Sequence, residues 1–386
     1  GFIVYNERTY PNLTALFDHL GIITERSEMS FSASIDNGAF EYSGNSLGAM
    51  IAQKRNLMRP RFWAMVRDII RFYRDAVPDA RQPHNGTATL GAYLDSHGYS
   101  EAFLRDHLLP MGACIWSAST RNMRDYPLAS FVRFFENHGL LELRDKYRPK
   151  WRTVTGGSRV YVAKISERFR ESIRLNCPVT SVRRHAQGVD VTAADGSIET
   201  YDGVVIAAHS DQALAMLADP SADEARVLGD IRYERNHAVL HTDESLMPRR
   251  RKAWASWNYI AGRDATDHTL VCLTYWMNSL QNIDARKPLF VTLNPHRAPR
   301  PEAFIDAFDY EHPIFDHCAL KAQQALWTLQ GRNRTWFCGA YFGHGFHEDG
   351  LQAGLAVGEE VSGLKRPWRV AEESGRIFLP PLQVAA

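Results

Sequence analysis

The sequence predicts a mixed α/β protein, with a largely helical region followed by strands that alternate with short helices. Residues 45–148 place apolar side chains mainly at helical spacing. After Pro149, short apolar runs are separated by Gly-Gly and Asp-Gly turns, which is typical of strands. Residues 230–295 then alternate between apolar and polar side chains, as antiparallel strands do.

Bulk composition excludes some classes of protein. The chain has 386 residues, of which 45% are hydrophobic, and such a length usually forms more than one domain. The 45 basic and 44 acidic residues nearly cancel, which gives no support for nucleic-acid binding. An apolar run of about 18 residues would be needed for a transmembrane helix, and none is present. A signal-peptide pattern is also lacking at residue 1, so we expect a cytoplasmic location.

The five cysteines are widely spaced and form no C-x-x-C motif. This pattern favours buried thiols in a reducing compartment over a disulfide framework or a structural zinc site.

Three local patterns stand out in the first half of the chain. YPNLTALFDHLGI predicts a helix that Gly21 stops, and FSASIDNGAFEY predicts a β-hairpin. RFWAMVRDIIRFYRDA predicts an amphipathic helix that ends at Pro78. That helix could cover a globular core or rest on a membrane surface; Asp68 and Asp75 dilute its positive face and favour the core.

The second half predicts the α/β part. WRTVTGGSRVYVAKISERF is expected to form a strand, a Gly-Gly turn and a helix from Ser158. Residues 173–209 predict a small antiparallel sheet that leads into the apolar strand VVIAA, followed by a helix capped by Ser210. A last strand ends at Gly339, and a helix is expected to begin near Gly350.

The segment GAYFGHGFHEDG between that strand and helix admits three interpretations. A metal site could use His344, His347 and Asp349, but glycines flank and interrupt the segment, which predicts a loop, and no second ligand cluster is evident. A cradle for an aromatic cofactor or phosphate would use the free N–H groups at the helix start, with Gly350 and Gly354 permitting close approach. A plain packing turn without a ligand is equally compatible with the spacing.

The chain as a whole resembles the flavin-dependent amine oxidoreductase superfamily, which includes monoamine oxidases and phytoene-desaturase-like enzymes. More narrowly, it is similar to a bacterial branch of predicted NAD/FAD-binding oxidoreductases. The resemblance spans nearly the whole chain and rests on the segments WRTVTGGSRVYV, MGACIWSAS, FFENHGLL, HTDESLMPRRR, WASWNY, TYWMNSLQ, VTLNP and GAYFGHGFHEDGLQAGL.

The resemblance implies an FAD/NAD(P)-binding Rossmann-like domain and a substrate domain made of an antiparallel sheet and a helical cap. The FAD-binding domain would comprise residues 1–22, 150–218 and 331–364, and the substrate domain residues 23–149 and 219–330.

The resemblance also implies a set of FAD-binding positions around the glycine-rich turns. They are Gly156, Gly157, Val179, Ala207, Ala208, Gly339, Ala340, Phe346, His347, Gly350, Leu351 and Gly354. Phe346 would also face the substrate, and Tyr275 and Trp276 are expected to do so.

Two departures from the superfamily pattern affect the expected behaviour. Ala340 stands where members commonly have an acidic residue. The G-x-G-x-x-G unit that begins other members is not in this sequence, so this chain alone is expected to bind FAD poorly and to be inactive.

The resemblance predicts hydride transfer from an apolar substrate to FAD. An acyl lipid or isoprenoid is favoured over a small amine, because the branch is associated with fatty-acyl modification and the helical region is rich in aromatic residues. The aromatic residues that predict an apolar tunnel are Phe62, Trp63, Phe72, Tyr73, Trp116, Phe131, Phe134 and Phe135.

Association with fatty-acyl-modifying enzymes and peripheral contact with the inner face of the membrane are also expected. No catalytic acid or base is identifiable from the sequence, and no metal is expected. Two alternatives stay open: a non-catalytic FAD- or lipid-binding module, and a metal-dependent hydrolase built on His344, His347 and Asp349.

Overall fold

A computed structural model describes residues 2–44, 46–116, 120–142, 147–263 and 269–380. Helices cover most of the segment between the first hairpin and Asn137, and they recur singly in the second half. The α-helices are α1 (Pro11–Leu20), α2 (Leu47–Met50), α3 (Pro60–Ala80), α4 (Leu90–Ser96), α5 (Glu101–Phe103), α6 (Leu109–Trp116), α7 (Thr120–Arg124), α8 (Leu128–Asn137), α9 (Arg159–Ser166), α10 (Ser210–Met216), α11 (Ala222–Gly229), α12 (Met277–Gln281), α13 (His317–Leu326) and α14 (His347–Ser362).

Within the described residues, the strands form four sheets. They are β1 (Tyr5–Asn6), β2 (Thr24–Arg26), β3 (Phe31–Ile35), β4 (Phe40–Ser43), β5 (Trp151–Val154), β6 (Val179–His185), β7 (Gly188–Ala193), β8 (Ile198–Tyr201), β9 (Val204–Ile206), β10 (Tyr233–His241), β11 (Trp257–Arg263), β12 (Thr269–Trp276), β13 (Phe290–Leu293), β14 (Phe304–Pro313) and β15 (Thr335–Phe337). Together with the helices they confirm the predicted mixed α/β class.

The largest sheet has seven strands in the order β14-β10-β13-β12-β11-β3-β4. Its neighbours are antiparallel except β11 and β3, which run parallel. The hairpin β3–β4 and the antiparallel strands between residues 230 and 295 are therefore confirmed. Asp36 and Asn37 turn the hairpin with φ of 52° and 55°, a conformation that Asn and Asp tolerate.

The helical region packs against this sheet as a cap. The buried face of α3 carries Phe62, Met65, Ile69 and Phe72, which join one core cluster with strands β3 and β4. The prediction that the helix ends at Pro78 is wrong. Pro78 lies within the last turn of α3, which continues for two further residues to Ala80.

The α/β part contains the three smaller sheets. Strands β6, β7 and β8 form the predicted antiparallel meander, β9 pairs in parallel with β15, and β5 lies between β1 and β2. A second core cluster joins β9 and β15 to helices α10, α11, α13 and α14. The proposed two-domain division stays a prediction.

Two predicted helix starts are wrong. The N-cap residue of α10 is His209 and not Ser210, and the His209 side chain makes no capping hydrogen bond. Ser210 is the first residue of the helix and donates its N–H to the Tyr233 hydroxyl. Helix α14 begins at His347, three residues before Gly350, because the carboxylate of Asp349 accepts the N–H of Phe346 and closes the first turn.

All five cysteines are free thiols, but only Cys114, Cys272 and Cys338 are buried, while Cys318 is exposed. Among the described residues, none of the helices is both long and apolar enough to traverse a bilayer.

Candidate active site

A cavity of about 1510 Å³ lies where the helical cap, the large sheet and the start of α14 meet. A second cavity of about 580 Å³ adjoins it, and the two share His312, Pro313 and Gly345. The larger cavity is open to solvent at one rim and lined by apolar and aromatic side chains inside, which is the usual form of a small-molecule site.

The glycine-rich turn before α14 is shaped first by contacts within the protein. A Cβ added at Gly343 would stand 2.5 Å from Oδ1 of Asp349. At Gly345 the φ of +89° already favours glycine, and an added Cβ would stand 2.8 Å from the Phe315 ring. Packing alone therefore explains these two glycines, as the plain-turn interpretation allows.

The His347 ring is held between two aromatic rings. It stacks on Phe2 at 3.9 Å and on Tyr10 at 4.5 Å between ring centroids. Burial lowers the pKa of His347 well below its ordinary value, and the nearby Arg376 guanidinium lowers it further. The ring is therefore neutral at neutral pH and unsuited to act as a cation.

Asp349 forms a buried ion pair with Arg376. Nε of Arg376 lies 2.6 Å from Oδ1 of Asp349, and Nη1 donates to the carbonyl of Thr9 at 2.9 Å. Burial raises the pKa of Asp349, which Arg376 opposes. The pair thus ties the helix start to the segment just before α1.

Glu348, the residue before Asp349 in α14, forms a second connection to α1. Its Oε1 accepts the N–H of Asn12 at 3.1 Å, and its Oε2 accepts the N–H of Leu13 at 3.0 Å. These are N–H groups at the start of α1, which a helix leaves without partners of its own. A carboxylate from α14 therefore caps α1.

These contacts do not support the metal alternative. His347 lies between aromatic rings, and Asp349 is committed to Arg376. Across the parts of the chain that the structure describes, there is no group of three or more His, Cys, Asp or Glu side chains placed to hold a metal ion. The loop expected around these residues is instead the first turn of α14.

Aromatic side chains line the cavity both on the sheet and on the side opposite the sheet. Phe346 stacks on Phe134 with ring centroids 4.9 Å apart, and the His138 ring stacks on Phe134 at 3.8 Å. Trp257 and Tyr275 lie opposite each other on β11 and β12 and meet edge to face at 5.5 Å.

Trp276 does not face this space. Successive side chains of a strand point to opposite faces, so Trp276 lies on the far side of the sheet from Tyr275. There it packs edge to face against Trp254 at 5.4 Å. Trp276 therefore does not line the cavity, whereas Tyr275 does, and a substrate-facing role for Tyr275 stays a prediction.

Only three of the eight aromatic residues that predicted an apolar tunnel line the cavity. Tyr73, Trp116 and Phe134 line the cavity, whereas Trp63 is 53% exposed on the surface. The remaining four lie in the hydrophobic core, namely Phe62, Phe72, Phe131 and Phe135.

A polar group interrupts the apolar wall at the π-helical turn Leu104–Leu108. Nδ1 of His107 lies 2.9 Å from the Tyr42 hydroxyl, and Nε2 lies 3.3 Å from the Tyr73 hydroxyl. Burial lowers the pKa of His107 to about 3, so the ring is neutral. One ring nitrogen then donates and the other accepts, which orients both tyrosines.

A family model described as flavin containing amine oxidoreductase matches residues 1–284. The chain belongs to the flavin-containing amine oxidoreductase family. No curated protein sequence gives a significant match. This amine oxidoreductase is a flavin-dependent enzyme with FAD as its cofactor.

Solved structures show the same fold at low sequence identity. A CLA-producing fatty acid isomerase from P. acnes superposes with a TM-score of 0.60 at 12% identity, covering 91% of this chain and 84% of that one. Putrescine oxidase bound to putrescine gives 0.57 at 14% identity, covering 92% and 86%. Cyclohexylamine oxidase from Brevibacterium oxydans IH-35A gives 0.55 at 14%, covering 93% and 87%.

The predicted cofactor residues of the amine oxidoreductase fall into two groups. Six line the joined cavities, namely Ala207, Ala208, Gly339, Ala340, Phe346 and His347. The other six do not line them, namely Gly156, Gly157, Val179, Gly350, Leu351 and Gly354.

Each member of the second group has a different surrounding. Gly156 and Gly157 form a turn after β5, and Val179 is 38% exposed at the start of β6. Gly350 faces the backbone of Ala340 and Leu351 packs beside the cluster of Phe17. A Cβ added at Gly354 would meet no atom outside its own helix backbone within 4 Å. Binding roles for all twelve stay predictions.

The two cavities fit the polar edge of a flavin. Several buried polar atoms that line them have no hydrogen-bond partner within the described segments. They are Nε2 of His347, Nε1 of Trp116, Nδ1 of His209 and the Tyr341 hydroxyl. Since buried polar groups are normally paired, these atoms are suited to a ligand that carries donors and acceptors.

Sequence reasoning missed several residues of this site. Phe2, Tyr10 and His138 contribute rings next to His347 and Phe346, yet no motif connects them. Trp257 was recoverable, since it alternates with Tyr259 along a predicted strand. His107 carries no such signal, because its role depends on tyrosines 65 and 34 residues away.

Proposed function

We propose that this FAD-dependent oxidoreductase dehydrogenates an apolar acyl or isoprenoid chain in preference to a small amine, with the hydride passing to FAD and the accompanying proton released to water. The cavity between the cap and Phe346 carries this proposal. Its cap side is formed by Ile69, Met111 and Ile115, and Glu28, at the exposed rim, is the single carboxylate among the described lining residues. Such a wall favours burial of a hydrocarbon chain.

FAD, when bound, supplies the acceptor for a hydride. Ala207, Ala208, Gly339, Ala340 and the turn at Phe346 and His347 would hold it. The protein's remaining task is to orient the substrate carbon and exclude water.

The aromatic pair Phe134 and Phe346 and the side chain of Tyr275 would hold the substrate chain. His107 keeps the Tyr73 hydroxyl hydrogen-bonded and so limits the polar surface that a hydrocarbon chain meets. Burial lowers the pKa of His344 and His347 well below the ordinary value, so we assign neither of them as an acid or a base.

The structural neighbours support the fold and do not select the substrate. Their names include a fatty acid isomerase and enzymes named for amines. The preference for an acyl or isoprenoid chain therefore depends on the cavity wall. Association with fatty-acyl-modifying enzymes and contact with a membrane surface remain predictions.

The test is turnover by the FAD-loaded protein with an electron-accepting dye and panels of unsaturated fatty acids, isoprenoids and amines. Products are identified by mass spectrometry. Ile115→Trp should fill the cavity and lower turnover of the preferred acyl or isoprenoid substrate by at least about tenfold, roughly 1.4 kcal/mol of barrier.

Ile23→Trp is the matched control, because Ile23 is 75% exposed and does not line the cavity. It should leave turnover unchanged. Turnover of amines alone would contradict the proposed substrate. Substrate binding without any turnover would instead favour the non-catalytic module.

A further inference from the structure

The rim of the large cavity is positively charged, whereas its interior is not. The positively charged lining residues are Arg26, Arg148 and Lys150, and the negatively charged one is Glu28. Three cations and one carboxylate give a formal charge of +2. All four are exposed, while Ile69, His107 and the other deep lining residues are buried.

Backbone pairing brings two of these cations together from distant parts of the chain. Arg26 ends β2, and the N–H of Ser27 donates to the carbonyl of Trp151 at 3.0 Å. Lys150 directly precedes that tryptophan, so the end of β2 lies beside it.

Arg148 is fixed near the same opening. Its Nε donates to the carbonyl of Glu142 at 2.9 Å. Its guanidinium also lies near enough to Tyr73 to oppose the burial that raises the pKa of that phenol. Arg148 therefore connects the rim with the inner wall of the cavity.

The three rim cations form no ion pair within the described residues, although the carboxylate of Glu28 lies on the same rim. None of the ion pairs formed there includes Arg26, Arg148 or Lys150. In addition, Arg26 lies directly opposite Arg152 across β2 and β5. Arg152 itself pairs with Glu7 at 3.7 Å, so the excess positive charge at the rim comes from Arg26, Arg148 and Lys150, and these three side chains would attract an anion.

We propose that the rim binds the anionic headgroup of the substrate, a carboxylate or a phosphate monoester, whose single apolar chain enters the cavity. This inference rests on the proposed function and specifies its substrate class. The same charges disfavour a protonated amine at the opening, because like-charge contact weakens both encounter and binding.

The test measures binding of decanoate, decyl phosphate, decanol and decylamine to the FAD-loaded protein by calorimetry. These ligands share one chain and differ in the headgroup. Decanoate or decyl phosphate should bind more tightly than decanol, and decylamine most weakly. The tighter of the two anions identifies the headgroup.

The variant combines Arg26→Gln, Arg148→Gln and Lys150→Gln. It should lower the affinity for decanoate and decyl phosphate by roughly tenfold, as expected for the loss of three partly exposed ion pairs. The affinity for decanol should change by no more than about twofold. Unchanged decanol binding shows that the cavity is still folded. The control combines Arg159→Gln, Lys321→Gln and Arg369→Gln, which are exposed and do not line the cavity, and it should change nothing.

Equal binding of all four ligands, or equal weakening by the rim and control variants, overturns the inference. Binding is measured without turnover, so its result is separable from that of the proposed function. A decanoate that binds through the rim and is never oxidised contradicts the function only.

Discussion

At the scale of single residues, the start of α14 depends on two adjacent carboxylates with different tasks. Asp349 pairs with Arg376, and Glu348 caps α1. Both side chains are fully buried. Glu348 and Asp349, which resemble metal ligands in the sequence, therefore mainly join α14 to α1 and the segment before it.

We expect Arg376→Met to lower the free energy of unfolding by about 3 kcal/mol, because it leaves the Asp349 carboxylate buried without its cation. Urea unfolding measures the change. Arg174→Met is the control, since Arg174 pairs with Glu199 on the surface, and its loss should cost no more than about 1 kcal/mol. Equal costs for the two variants would show that the buried pair has no special role.

At the scale of elements, α1 and α14 act as a unit around His347. The cap that Glu348 supplies joins residues 336 positions apart, and Tyr10, next to α1, stacks on His347. Displacement of α1 would therefore change the wall of the cavity as well as the stability of the protein.

Glu348→Ala should cost about 3 kcal/mol of unfolding free energy, because two buried N–H groups of α1 lose their acceptor. Glu348→Gln keeps one acceptor oxygen and should cost less. Glu360→Ala, on the exposed side of the same helix, removes only a surface hydrogen bond from Nε1 of Trp336 and should cost no more than about 1 kcal/mol. Thermal and urea unfolding give these values, and a loss for Glu348→Ala as small as that for Glu360→Ala would refute the cap.

The elements themselves were largely predictable from the sequence, because apolar spacing decides them locally. The hairpin β3–β4, the meander β6–β8 and helix α1 follow their patterns. The start of α14 was not predictable from local sequence. A side chain at Gly343 would clash with Asp349, and one at Gly345 would clash with Phe315, which is 30 positions away. The orientation of Trp276 was missed because its pattern as part of TYWMN does not indicate which face of the sheet is covered.

At the scale of the whole molecule, the site gathers segments that are distant in the chain. The rim joins Arg26 to Lys150, and the aromatic wall joins Phe134 to Phe346. Such contacts follow from the arrangement of sheets and not from any local motif. The resemblance supplied the six cavity-lining cofactor positions, whereas the rim and His107 became visible only in the fold.

Stability should fall as the solution becomes acidic, because burial holds several histidines in the neutral form, His344 and His347 among them. Burial lowers the pKa of His107 and His138 to about 3 and that of His241 to about 4, from 6.5. Between pH 6.5 and about 4 the unfolded chain therefore binds protons that the folded chain does not. Stability is full above this window and is lost as the pH falls through it.

Each histidine contributes a slope of up to roughly 1.4 kcal/mol per pH unit in this window. Urea unfolding at several pH values measures the sum. His241→Gln should reduce the slope by one such share, while His84→Gln, whose ring is exposed to water, should not change it. A flat profile between pH 6.5 and 4.5 would contradict the buried neutral state of these rings.

The most direct test of the account is an anaerobic titration of the FAD-loaded protein, followed by the visible absorption band of the flavin. Long-chain unsaturated carboxylic acids and phosphate monoesters should bleach the band, and the rim variant should require higher concentrations for the same bleaching. Small amines should leave the band unchanged. Bleaching by amines, with none by any acyl or isoprenoid compound, would contradict the account.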